Sequence, residues 1–103
     1  MLKIDKNKND VELTIALEGR LDTNTSPQLE KELKDEIDGV TSLTFDFKAL
    51  EYISSAGLRV LLSAQKIMNK QGSMKVIHVN EMVMEVFVNM GFAGIMTIEQ
   101  DKN

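Results

Sequence analysis

The chain contains no cysteine and only one histidine in 103 residues. The first absence excludes disulfides and thiolate metal sites, and the second leaves any serine nucleophile a single candidate base, His78. No cluster of lysine or arginine forms a basic stripe, and the formal net charge is −4, which argues against nucleic acid as a partner. No apolar run approaches the length of a membrane span. The opening "MLKIDKNKND" turns charged too soon for a signal peptide, so no membrane insertion and a cytoplasmic location are expected. A Walker glycine loop, an HExxH helix and a calcium loop are all missing, and no cofactor or metal is expected. Internal repeats, low-complexity segments and linkers are missing too. What remains, 43% hydrophobic and 27% charged, is the composition of an ordinary soluble globular protein, with one domain over residues 1–103.

Val11, Leu13, Ile15 and Leu17 alternate with Glu12, Thr14, Ala16 and Glu18, the period of a half-buried strand. Leu2 and Ile4 predict a shorter strand before it, joined through a turn at "KNKND" into a hairpin. "GRLDTNTSPQ" reads as a loop that starts a helix. Thr25 with Gln28 fits a capping box, Ser26 is an equally good N-cap, and Pro27 suits the first turn. Leu29, Leu33 and Ile37 mark the apolar face of that helix, and Gly39 ends it. "LTFDFK" alternates again. A second helix is predicted from about Ala56 to Lys70 with Leu58, Leu61, Leu62 and Met68 buried, closed by Gly72. "MKVIHV" is a third interior strand. A third helix runs from about Glu81 to Met90 on Val83, Val86, Phe87 and Met90, and "IMTI" (95–98) is a last short strand.

The order β-β-α-β-α-β-α-β implies a small mixed, mostly parallel sheet, because helical crossovers join parallel strands. Sheets covered on both faces have strands that are apolar almost throughout. Two strands here alternate cleanly, so the helices are expected mainly on one face. A receiver-type phosphoacceptor fold fits poorly for that reason, and because the chain opens with two strands.

Within "EYISSAGLRVLL" (51–62) two serines, Ser54 and Ser55, stand where an apolar strand gives way to an apolar helix. A helix cap needs one serine and does not ask for Gly57, which costs about 1 kcal/mol of helix propensity against alanine. A nucleophile elbow needs glycine where Tyr52 or Ile53 stands, and His78 lies on a predicted strand, so an enzyme is not expected. A third reading is a modification site. A helix N-terminus tolerates phosphate, and Arg59 follows Ser55 by one helical turn.

The stretch "FDFKALEYISSAGLRVLLSAQK" resembles the signature of STAS domains, specifically the small anti-sigma factor antagonists. "LEGRLDTNTSPQLEKEL" is similar to the family's Gly-x-Leu-Asp loop and first helix, and "GSMKVIHVNEMVMEVFVNMGFAGIMTI" to its later elements. The resemblance implies partner switching. The unphosphorylated antagonist binds an anti-sigma factor serine kinase, phosphorylation of a serine at the start of the second helix releases it, and a serine phosphatase reverses the change. Alignment on Gly57 puts the phosphoserine at Ser55, with Ser54 as second choice. Ser54 stands where many members carry aspartate, and Ala56 where many carry serine or threonine. The implied partner surface comprises Asp22, Thr25, Ser54, Ser55, Gly57 and Arg59. Asp22 is equally readable as a turn residue holding backbone N–H groups, and Asp46 as a structural residue on the solvated face. The methionines of the third helix, Met82, Met84 and Met90, offer a pliable surface, although Met90 belongs to the apolar stripe. The alternative function is an unswitched STAS binding module in a signalling assembly or a transporter-associated complex.

Overall fold

A computed structural model describes residues 1–100. The elements run β1 (Leu2–Asn9), β2 (Glu12–Leu21), α1 (Ser26–Glu36), β3 (Ser42–Ile53), α2 (Ser55–Gln71), β4 (Ser73–Val79), α3 (Glu81–Asn89) and β5 (Thr97–Gln100). The element order is the one the patterning predicts. The five strands form one sheet in the order β1-β2-β3-β4-β5, antiparallel between β1 and β2 and parallel thereafter. The buried side chains of all three helices join those of the strands in one cluster, the one-faced layer that right-handed crossovers stepping the same way across a sheet produce. Leu13, Ile15 and Leu17 of β2, Leu43, Phe45 and Phe47 of β3 and Met74 and Val76 of β4 point into that face as a single buried cluster. Phe87 of α3 stacks on Phe47 with ring centroids 6.3 Å apart. Among the described residues, no helix is long and apolar enough to cross a membrane.

Several boundaries depart from the sequence reading. "KNKND" is not the turn: β1 continues through Asn9, which pairs with Glu12, and Asp10 and Val11 alone make the turn. Asp10 adopts φ 58°, a conformation aspartate tolerates better than most side chains. Pairing along β2 thus overrides weak local preference, and Lys6 and Lys8 blunt an exposed sheet edge. Gly19, Arg20 and Leu21 likewise extend β2. Leu62 is only partly buried, as is Val86. Met90 is no core residue: it follows the last turn of α3 and is 49% exposed. The last strand begins at Thr97, because the amides of Ile95 and Met96 are taken by a turn onto Phe92 O.

β3 is longer than its alternating stretch. Twelve of its residues face ten of β2, and the two extra residues enter at irregularities opposite Ala16/Glu18 and Gly19/Arg20. The sequence shows them as two apolar steps of three, Phe47 to Leu50 and Leu50 to Ile53, where alternation demands steps of two. At the other end of the domain, the Gln71 amide bonds Ile37 O at 2.8 Å and Val40 O at 2.7 Å, tying the end of α2 to the end of α1.

Gly72 follows at a close approach: a Cβ there would lie 1.9 Å from Thr41 O. That carbonyl accepts from Ser73 N at 3.0 Å, so backbone must move to make room. Gly72→Ala is therefore expected to destabilise by about 3 kcal/mol. Gly39→Ala meets nothing within 4 Å but forces alanine to φ +81°, at about 1 kcal/mol. Urea denaturation of both variants checks the ranking, and equal losses would show that the Thr41 contact yields freely.

Candidate functional site

The site is built by the last step of the β2–β3 ladder. Leu21 pairs with Ile53, and Ser54 N donates to Leu21 O at 2.9 Å. That bond sets the residue after β2, Asp22, beside the start of α2. Ser54 occupies the N-cap with extended backbone (φ −102°, ψ 175°), yet its side chain makes no capping bond. Its Oγ is buried and without a hydrogen-bond partner among the described residues. Ser55, the first helical residue, is exposed. The cap expected of the serine pair is thus one of backbone position only, and the two hydroxyls differ in access to solvent.

No carboxylate sits in the first turn of α2, so its leading amides keep their donor capacity and the positive end of the helix dipole. Arg59, one turn on, is exposed and makes no salt bridge among the described residues. It lines an open cleft of about 220 Å³ with Ala56, Ser63, Thr23, Ser26 and Glu30, so the start of α1 and the first turns of α2 share one concavity. Gly57 is buried. A Cβ there would lie 2.7 Å from Leu21 Cγ and 3.0 Å from Ile53 Cγ1. Its contribution to the surface is therefore indirect: it seats the helix start against the ends of β2 and β3.

The Asp22 loop is held from within. Asp22 Oδ1 accepts from the amides of Asn24 at 3.0 Å and Thr25 at 3.1 Å. Thr25 Oγ1 accepts from Asp22 N at 2.9 Å and has one proton to offer to Arg20 O at 2.8 Å and Asp22 Oδ1 at 3.2 Å. With its hydroxyl so engaged, Thr25 makes no side-chain cap, and no capping box with Gln28 forms. Gln28 instead reaches Leu2 O. Ser26 is inside the helix, buried, with its hydroxyl donating to Asp22 O. The turn-residue role weighed for Asp22 is therefore real, and it leaves Oδ2 outward with Arg20 Nε 3.9 Å away.

Sequence reasoning gave Arg20 no role. Its guanidinium lies 4.3 Å from the centre of the Tyr52 ring, and the two residues are register partners across β2 and β3. Only the irregularities of β3 bring them opposite each other, which is why simple alternation did not pair them.

His78 lies apart from the serines. Its Nδ1 is 2.9 Å from Asp46 Oδ1, and Asp46 pairs with β4 eight positions before Ser54, at most about 26 Å at normal strand rise. The imidazole is committed to a carboxylate on the open sheet face, so the chain's one histidine serves neither serine as base. Asp46 also accepts from Lys48 N at 3.0 Å, which supports its structural reading.

This is a small α/β domain with a one-sided helical layer, presenting an exposed serine at a helix start beside an internally bonded aspartate loop. The STAS domain family model matches residues 3–103, and the chain belongs to the STAS domain family. BtrV of Bordetella bronchiseptica, named provisionally as an anti-sigma factor antagonist, is 35% identical over 103 residues, covering 98% of this chain and 89% of BtrV. The crystal structure of an anti-sigma factor antagonist from Mycobacterium paratuberculosis is similar with a TM-score of 0.88 at 19% identity, over 96% of this chain and 86% of that one. SpoIIAA, a Bacillus cell fate determinant solved in its phosphorylated form, is similar with a TM-score of 0.74 at 19% identity, over 93% and 90%. At these identities the structural likenesses establish the fold.

The carboxyls of Asp22, in the loop, and Asp46, on β3, are both held low. The Thr25 amide holds the Asp22 carboxyl below its ordinary 3.8, against a smaller effect of burial, with the Thr25 hydroxyl and Asn24 amide adding to it. For Asp46, burial works against ionisation, but the His78 and Lys48 N–H bonds together outweigh it and bring the carboxyl below 3.8. A carboxyl lowered on folding stabilises fully above its unfolded value, and the contribution fades as pH falls through the folded one. Asp22→Asn and Asp46→Asn should therefore each lower the thermal midpoint near neutral pH. The gap to the parent should shrink as pH falls below about 4. Thermal melts at stepped pH read this, and a gap unchanged down to about pH 2 would show that the ionised carboxylates contribute nothing.

Proposed function

We propose that the protein is an anti-sigma factor antagonist that binds an anti-sigma factor serine kinase when unphosphorylated and is released by phosphorylation of Ser55. A serine phosphatase restores the binding form, and the cycle runs in the cytoplasm. The observation that carries this reading is the placement of one exposed hydroxyl, Ser55, at the first position of α2, directly beside the Asp22 loop. The buried Oγ of its neighbour Ser54 favours Ser55 as the acceptor, since phosphoryl transfer needs the hydroxyl to reach the donor. The names of BtrV and the Mycobacterium protein support the class of partner, and the existence of a phosphorylated form of SpoIIAA supports phosphorylation as the modification.

The electrostatics of the switch follow from the site. Asp22 already carries a charge at this end of the sheet, and phosphate adds about −1.5 to −2 more beside it. The leading amides of α2 stabilise that group within the domain, and Arg59 is placed to share it. Neither removes its bulk from the contact. A partner surface fitted to a neutral hydroxyl then meets added charge and volume, and loses affinity through desolvation and repulsion.

Ser55→Ala should bind the kinase tightly and insensitively to ATP, while Ser55→Asp should weaken binding by at least about 1–2 kcal/mol. The phosphorylated protein should be weakened further, because aspartate carries less charge. Asp22→Asn keeps an acceptor for the Asn24 and Thr25 amides, so any loss of kinase affinity there reports the charge rather than the turn. Calorimetric titration with each variant, together with peptide mass spectrometry of the phosphorylated chain, checks the set. Equal affinity for the modified and unmodified protein would leave an unswitched binding module, and phosphate on Ser54 or Thr25 would move the acceptor.

A further inference from the structure

The third helix leaves a different surface outside from the other two. α1 interleaves Glu30, Glu32, Asp35 and Glu36 with Lys31 and Lys34, and α2 carries Arg59, Lys66 and Lys70. Residues 80–100 contain no lysine, arginine or histidine, and Glu81 and Glu85 of α3 are exposed, whereas Glu99 alternates with core-packed Ile98 on β5 and belongs to the other face of the sheet. Along the same stretch Met82, Val88, Met90 and Ile95 are 59%, 55%, 49% and 50% exposed. These are not the residues that anchor the helix, which Val83 and Phe87 do from its buried side. Three of the seven methionines, Met82, Met84 and Met90, fall on this helix and its end outside the core. Their unbranched thioether side chains adapt to irregular apolar partners. A shallow groove of about 380 Å³ runs along the helix, lined by Met84 and Val88 with Glu81 and Glu85 and closed by Gln100.

We propose that α3 and the turn after it form a second docking surface, occupied by a basic amphipathic segment of a partner protein. Charge complementarity selects that occupant. Its apolar face would meet Met84 and Val88, and its lysines or arginines would meet Glu81 and Glu85, which no cation within residues 80–100 offsets. A second copy of the chain would bring the same carboxylates face to face, and an anionic lipid surface would be repelled by them. The assignment stands independently of the Ser55 switch, since it uses none of the same side chains.

The test is a nitrogen-15 NMR titration of the full-length protein with a helical peptide of about 14 leucines and lysines, and with a counterpart that keeps the leucines and replaces lysine by glutamate. The lysine peptide should shift amide signals of residues 81–95, and the glutamate peptide should not. Glu81→Lys with Glu85→Lys should weaken lysine-peptide binding about tenfold. Glu30→Lys with Asp35→Lys, on α1, should leave it within about twofold. All four positions are exposed, and circular dichroism verifies that the variants fold. Shifts centred on α1, equal responses to both peptides, or silence from residues 81–95 would each overturn the proposal. So would concentration-dependent broadening of those signals without peptide, which would assign the surface to a second copy.

Discussion

The site depends on the register of one strand pair. β2 and β3 run side by side to Leu21 and Ile53, and the bond from Ser54 N to Leu21 O continues the ladder beyond the last strand residues. Both parts of the candidate site hang from that end: the Asp22 loop leaves one strand there and α2 leaves the other. A slip of one residue would turn every side chain of the slipped strand to the opposite face. The buried sets Leu13–Ile15–Leu17 and Leu43–Phe45–Phe47 forbid such a slip. The core thus determines which loop residue stands next to which serine.

Two neighbouring serines acquire different chemistry from a single change of backbone conformation. Ser54 is the last extended residue, and its Oγ is folded inward. Ser55 is the first helical residue and faces solvent. Gly57 completes the arrangement by letting the first turn of α2 rest directly on Leu21 and Ile53. The same tight seating that buries one hydroxyl presents the other. Asp22 spends one carboxylate oxygen on its own loop and turns the other outward, so turn residue and surface charge are two faces of one group.

Element order, helix faces and the one-sided sheet were legible because apolar periodicity is a strong signal where one face is buried. The strand through "KNKND" was not, since its pairing is decided by β2 and not by its own side chains. The capping bonds at α1 were misread for a different reason: Thr25 holds the N-cap position, but local bonds to the carbonyls of Arg20 and Asp22 claim the hydroxyls of Thr25 and Ser26 first. Met90 continues the apolar stripe of α3 and yet is exposed, because the helix ends before the sheet can cover it. The serine pair could be singled out from Gly57 alone, whereas the Arg20–Tyr52 stack required a register that two irregularities in β3 had shifted.

The anchorage of α2 at its far end also shapes what a modification at its near end can do. Gln71 grips two carbonyls of the α1 exit, and Gly72 lies against Thr41 with no room to spare. The helix is thus tied at the end far from Ser55. Were a charge placed at its tip as proposed, that tie would oppose a shift of the helix along its axis, and the change would be met first by whatever touches the tip.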